Sequence, residues 1–180
     1  MKKNDNRGMT LVELLVVIAI IAVLAGVLGL SVAAISKQKL KDAAYETKQM
    51  IQMAQLYSKS RDDCRLVFSG HKNGNVIETK VTLYDKNGPG NTDRVVKEIT
   101  INSKIKVEMT AESSGGGTMT LPLGIKSVEI PINRSTGGFG VCPDFHGLKN
   151  STVTRIYLRQ GNKDITLKLA TYTGHVSVEY

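Results

Sequence analysis

Glu13 is the residue in this chain whose type and position most clearly call for chemistry. It is a carboxylate at the mouth of an apolar run, and no other charged residue follows it until Lys37. An ionised side chain at mid-bilayer costs roughly 2.5 to 3.5 kcal/mol and less near the interface, so in lipid Glu13 must sit at the surface or find a cation. The residues before it offer one. The leader "MKKNDNRG" ends in Gly8, a small residue placed before the apolar stretch, whereas the cleavage site of a secretory signal lies after it. A cut after Gly8 keeps the apolar helix on the mature chain and frees an α-amino group at Met9, with a reference pKa of about 7.7 to 8.0. Within one chain Met9 and Glu13 are a single helical turn apart and poorly aligned for an ion pair. Between staggered parallel copies, Glu13 of one can meet the Met9 amine of another.

Other reactive side chains do not assemble into a site. His71, His146 and His175 are isolated, and no HExxH, CxxC or GxSxG pattern surrounds them. The stretch "GGFG", residues 137–140, lacks the strand, spaced glycines and helix of a dinucleotide fingerprint and reads as a turning or bulged strand. Asp85, Asn87, Asn91 and Asp93 gather oxygen ligands of the kind calcium takes, but a polar hairpin loop has the same composition. Asn133-Arg134-Ser135 and Asn150-Ser151-Thr152 match the glycosylation sequon, a pattern too short to assign a glycan. The expectation is a chain with no enzyme activity, no metal and no cofactor.

The elements that must carry Glu13 are legible from period and punctuation. Leu14 to Ile35 holds no charged residue, and about 20 apolar residues suffice to cross a hydrocarbon core of roughly 30 Å. Beyond it Leu40, Ala43, Ala44, Thr47, Ile51, Ala54 and Tyr57 recur three and four apart, with lysines on other faces. No glycine or proline interrupts residues 30–60, so one helix is expected from about Met9 to Ser60. From Cys64 the period changes to two. "CRLVFS", "VIETKVTLY", "VVKEITI", "KIKVEM", "TMTLPL", "VEIPI", "TRIYLR", "ITLKLA" and "HVSVEY" read as strands; "HKNGN" and "DKNGPGN" read as hairpin or loop connections, and "ESSGGG" as a flexible loop. The fold class is therefore α+β, a long N-terminal helix packed against an antiparallel β head. Its expected divisions are a leader at 1–8, a transmembrane or filament-core helix at 9–36, an amphipathic helix at 37–63 and a globular head at 64–180. The chain carries 24 basic and 16 acidic residues, and removal of the leader lowers its net charge from +8 to +6. That is short of the dense Lys/Arg clustering typical of nucleic-acid binders.

The stretch G-M-T-L-V-E-L-L, Gly8 to Leu15, resembles the signal of type IV pilins and type II secretion pseudopilins. The resemblance implies cleavage between Gly8 and Met9 by a prepilin peptidase, N-methylation of Met9 and a guiding role for Glu13 in filament assembly. It implies the pilin fold, and as partners other pilin or pseudopilin subunits, the peptidase, an assembly platform and ATPase, and membrane lipid before assembly. Location would be the cytoplasmic membrane, single-pass with the head outside the cytoplasm, and then a periplasmic or extracellular filament. "INRSTGGFG" and the terminal T-G-x-V-x-V element, Thr173, Gly174, Val176 and Val178, are similar to the head of the FimT/GspH group and imply a minor subunit. An adhesive or major pilin is the alternative. Some members of that group bind DNA through the C-terminal region, which singles out Arg155 and Arg159, four apart on one strand face. A solvated strand face has the same pattern. Because the head would lie in an oxidising compartment, Cys64 and Cys142 are candidates for a disulfide, with two separately buried thiols as the alternative.

Overall fold

The computed structural model describes residues 10–60, 64–85 and 93–180, and within the helix the side chains of 26–34 lie outside the described residues. One helix, α1, covers Leu11–Ser60 and is followed by ten strands. The chain divides into two compact units, Met1–Gln38 and Lys39–Tyr180.

In the first unit the side chains of α1 from Leu14 to Ala25 are apolar on every face, and Leu14, Val16, Ile18, Ile20 and Leu24 are all exposed. Among the described residues no helix is long and apolar enough to cross a membrane; the described side chains of this stretch stop at Ala25.

In the second unit α1 becomes amphipathic. Leu40, Ala43, Ala44, Thr47, Met50, Ile51, Ala54 and Ser58 are buried, while Lys41, Tyr45, Gln49, Gln52 and Leu56 face outward. Tyr57, expected in the buried stripe, is half-buried, and Met50 and Ser58 complete it. Thr47 is accommodated at full burial because its hydroxyl donates 2.7 Å to the Ala43 carbonyl.

The strands are β1 Cys64–Asn73, β2 Val76–Asp85, β3 Arg94–Ile101, β4 Lys106–Ser113, β5 Thr118–Pro122, β6 Ser127–Pro131, β7 Cys142–Phe145, β8 Leu148–Gln160, β9 Lys163–Leu169 and β10 Val176–Glu179. They form two antiparallel sheets, ordered β3-β2-β1-β6 and β10-β9-β8-β4-β5, with β7 paired to the upstream part of β8. Side chains alternate between core and solvent, so that Leu66 and Phe68 of β1, Val81 and Leu83 of β2, Val107 and Met109 of β4, and Ile156 and Leu158 of β8 join the helix stripe in one core. In β8 an extra residue, Thr154, shifts the register between Val153 and Arg155. The α+β architecture is that expected from the sequence. "HKNGN" forms the β1–β2 turn and "ESSGGG" the β4–β5 turn, while residues 86–92 of "DKNGPGN" lie outside the described residues. The expectation omitted one strand, β7, whose four residues Cys-Pro-Asp-Phe show no alternating signal.

Candidate functional site

Gly8 and Met9 lie outside the described residues, and the site begins at Thr10. Thr10 is the N-cap of α1, and Glu13 is its third residue, the arrangement of a capping box. Glu13 Oε2 accepts from the Thr10 backbone N–H at 2.8 Å and from the Thr10 hydroxyl at 3.0 Å; Thr10 Oγ1 in turn lies 3.3 Å from the Glu13 N–H. The first peptide groups of a helix have no intrahelical partner. Here the carboxylate satisfies one of them and is itself held in one orientation. Among the described residues its hydrogen bonds go to Oε2, and its side chain is exposed. The T-x-x-E pattern that signals this cap is present in "MTLVE", yet the sequence reading assigned Glu13 only an intermolecular partner.

A second cluster joins the two head motifs. In the loop of residues 133–139, Asn133 Oδ1 accepts from Ser135 N–H at 2.9 Å and Ser135 Oγ at 2.7 Å, and the Asn133 N–H reaches the Gly138 carbonyl at 2.9 Å. Phe139 N–H then donates to Thr171 O at 2.9 Å, which brings this loop against the β9–β10 turn. Gln55 of α1 closes the junction, since its Nε2 donates to the Gly137 carbonyl at 2.8 Å and the Gly174 carbonyl at 2.6 Å. Gly174 has φ 70°, and a Cβ there would collide with the Gly137 carbonyl; at Gly138 it would collide with Thr171 O. Glycines at these two positions let three backbone segments close on one amide group. The motif residues "GGFG" and "TGHVSV" are thus a packing junction, and Gln55 is a residue the sequence reading missed.

Arg155 and Arg159 do share the outer face of the six-stranded sheet. They stand among acids contributed by neighbouring strands. Arg159 Nη1 lies 3.4 Å from Glu108 Oε1, and Lys168, opposite Arg155 on β9, pairs with Glu179 at 2.5 Å. The Tyr157 hydroxyl beside Arg155 raises its pKa further, with Glu112 and Glu179 adding to the field. The result is an alternating charge pattern rather than a basic stripe.

Cys64 and Cys142 are both buried, and in this structure they are not bridged to each other. Residues 139–142 run along the edge of β6, with Phe139 opposite Ile132 and Gly140 N–H on Pro131 O. Cys142 Sγ donates to Glu129 O at 2.9 Å. Strand β6 therefore separates Cys142 from β1, and two strand spacings of about 4.8 Å exceed the Cα separation of at most about 6.8 Å usual for a bridge. Burial pushes the Cys142 thiol up to about 11, so it is protonated and unreactive at neutral pH.

Among the described residues no group of three or more His, Cys, Asp or Glu could hold a metal ion. Asp93, one of the four oxygen donors noted in the sequence, pairs with Arg65, which also reaches Glu129 Oε2 at 3.0 Å and stacks over Tyr84. An arginine within the cluster is the wrong neighbour for a cation. Asn87 and Asn91 lie outside the described residues.

Residues 3–29 match the family model described as the prokaryotic N-terminal methylation motif. No curated protein and no solved structure gives a significant match to the chain. The matched segment contains Gly8, Met9, Thr10 and Glu13 and extends into the apolar half of α1. In this N-terminal segment, and there alone, the chain is similar to the methylation motif that indicates the type IV pilin and pseudopilin family.

Proposed function

We propose that the chain is a structural subunit, and a minor one, of a type IV pilus-like or type II secretion pseudopilus filament. A prepilin peptidase cuts between Gly8 and Met9, and the Met9 amine is methylated. The uncharged stretch from Leu14 to Ile35 then holds the chain in the cytoplasmic membrane with its head outside the cytoplasm. Platform protein and ATPase draw it into a bundle of parallel helices. The junction of the glycine-rich loop with the T-G-x-V-x-V element at Gln55 supports a place for the head in the FimT/GspH group.

The observation that carries the reading is the capped Glu13 at an exposed helix start within the matched methylation motif. The cap fixes the carboxylate through Oε2 and leaves Oε1 to accept the Met9 ammonium of a neighbouring subunit. An unpaired carboxylate in lipid is costly, and the pairing removes that cost on assembly. The outer face of the six-stranded sheet, with Glu108 and Glu179 against its basic residues, favours this structural role over a duplex-binding one.

The test is expression of the full chain with a prepilin peptidase and its assembly machinery, followed by intact-mass measurement. The mature protein should lack residues 1–8, and Glu13→Ala should be processed normally yet enter sheared filaments at a much lower level. An uncut chain, or wild-type incorporation of Glu13→Ala, overturns the assignment.

A further inference from the structure

At one end of the second unit three strand connections are apolar and basic together. The β1–β2 hairpin outruns its neighbours: the last pairing with β6 is Ser69 with Ser127, that with β3 is Thr79 with Ile101, and residues 70–78 continue as a two-stranded ribbon. Beside it stand the β3–β4 turn, closed by Ile105 N–H on Asn102 O at 2.8 Å, and the β5–β6 turn, closed by Lys126 N–H on Leu123 O at 3.0 Å. The three connections surround a groove of about 410 Å³ lined by Val76, Ile77, Ser103, Ile105, Pro122 and Gly124. Large apolar side chains are left in water there: Val76 is 45% exposed, Ile77 43% and Ile125 67%. Across residues 70–79, 102–107 and 123–127 the charged residues are Lys72, Lys104, Lys106 and Lys126 against Glu78 alone.

The position of this end in the chain identifies what it meets. Ile105 also lines a shallow cleft with Lys39, Asp42, Ala43 and Glu46, so the β3–β4 connection flanks the first turn of the helix in this unit, and the other two adjoin it across the groove. Lys39 follows Ile35, the last large apolar residue of the uncharged stretch, by only four positions in the sequence. A surface tethered that closely to a membrane segment spends its time at the headgroups. Lysines attract anionic headgroups, and aliphatic side chains beside them can enter the interface. Protein interfaces, by contrast, are depleted in lysine at their cores.

We infer that these three connections form a lipid-docking surface, which seats the head on anionic phospholipid headgroups while the subunit waits in the membrane. The inference rests on the membrane-anchored reading above. It gives extraction into a filament a second step, release of the head from the bilayer surface.

The chain contains no tryptophan, so single substitutions report on depth without background. Full-length Ile125→Trp and, separately, Ile20→Trp are reconstituted into vesicles of phosphatidylcholine alone or mixed with phosphatidylglycerol, each with brominated acyl chains. Ile20→Trp should be quenched in both. Ile125→Trp should shift to the blue and lose about half its intensity in the anionic vesicles only, and Lys72→Glu/Lys104→Glu/Lys126→Glu should abolish that loss. All three lysines are exposed, so the triple variant leaves the core intact. Quenching of Ile20→Trp without Ile125→Trp overturns the docking surface and leaves the anchor standing. Failure of both overturns the anchor itself. A blue shift of Ile125→Trp that bromine does not quench, and that grows with protein density, assigns the groove to a second copy and overturns the lipid. Equal quenching in both vesicle types, or quenching that survives the triple variant, removes the role of the lysines and overturns docking to anionic headgroups.

Discussion

The two halves of α1 are continuous in hydrogen bonding and opposite in what they ask of their surroundings. From Leu14 to Ala25 the side chains are apolar around the whole circumference and exposed within the chain, whereas from Lys39 to Ser60 one stripe is buried and the opposite face is polar. A helix that is apolar all round must be covered by lipid or by other helices, while an amphipathic one is satisfied by a single packed face. On the proposed filament-subunit reading, the first half is an element of an assembly and the second an element of a domain. Head stability should accordingly respond to the second half alone.

The largest expected effect tests that separation directly. Ile51 is fully buried between the sheets and the helix, and Ile51→Ala should destabilise the head by about 2 to 5 kcal/mol through lost transfer energy and a cavity. Ile20→Ala removes the same atoms from an exposed position and should leave head unfolding within about 0.5 kcal/mol of wild type. Denaturant unfolding of the full chain in detergent, followed by circular dichroism of the β head, measures both. Comparable losses from the two substitutions would show that the halves fold as one cooperative unit and break the comparison.

A smaller effect sharpens it at the far end of the second half. Gln55 and Gln52 lie on the same stretch of α1, but Gln52 faces solvent while Gln55 ties Gly137 and Gly174. Gln55→Ala leaves two part-buried carbonyls without a donor and should cost about 1 to 3 kcal/mol, because an unsatisfied buried acceptor loses its solvation outright. Gln52→Ala should be near neutral. Amide exchange should rise in residues 133–139 and 170–175 of the Gln55 variant and nowhere else in the head. Unchanged exchange there would mean that Phe139 N–H on Thr171 O holds the junction unaided.

What the sequence disclosed divides along similar lines. Helix extent, the buried stripe from Leu40 to Ala54 and the β-rich runs depend on local period, which neighbouring residues display openly. Gln55 has no such signal, since its partners lie 82 and 119 positions away. The same holds for the outer sheet face: the spacing of Arg155 and Arg159 could be read, but Glu108 and Glu179 come from other strands, and only the pairing of β4 with β8 and β9 with β10 brings them near. The choice between a Cys64–Cys142 bridge and two separately buried thiols rested on compartment alone, and the intervening strand β6 could not be inferred from their spacing. At the N-terminus, Gly8, Met9 and Glu13 could be singled out because the methylation motif is a short linear segment. Gly8 and Met9 lie outside the described residues, so cleavage itself rests on that segment and on its test.

The smallest effect concerns the start of the first half. Thr10 and Glu13 exchange the hydrogen bonds of a capping box, and loss of an N-cap hydroxyl typically costs about 1 kcal/mol, close to a fivefold change in local opening. Thr10→Ala in the full chain, reconstituted in lipid, should therefore speed amide exchange of Leu11 to Leu14 about fivefold while exchange in the head stays unchanged. Thr10→Ser keeps the hydroxyl and should behave as wild type. The consequence for Glu13 follows from geometry. Without the Thr10 hydroxyl the carboxylate keeps only the backbone N–H at 2.8 Å, and its Oε1 is less firmly aimed at a neighbour's amine. Filament incorporation of Thr10→Ala should then fall between those of wild type and Glu13→Ala, with Thr10→Ser restored. If Thr10→Ala exchanges like wild type at the helix start, the cap is dispensable. If Thr10→Ser fails together with Thr10→Ala, the methyl group rather than the hydroxyl matters, and the first half of α1 depends on its surroundings even at its polar end.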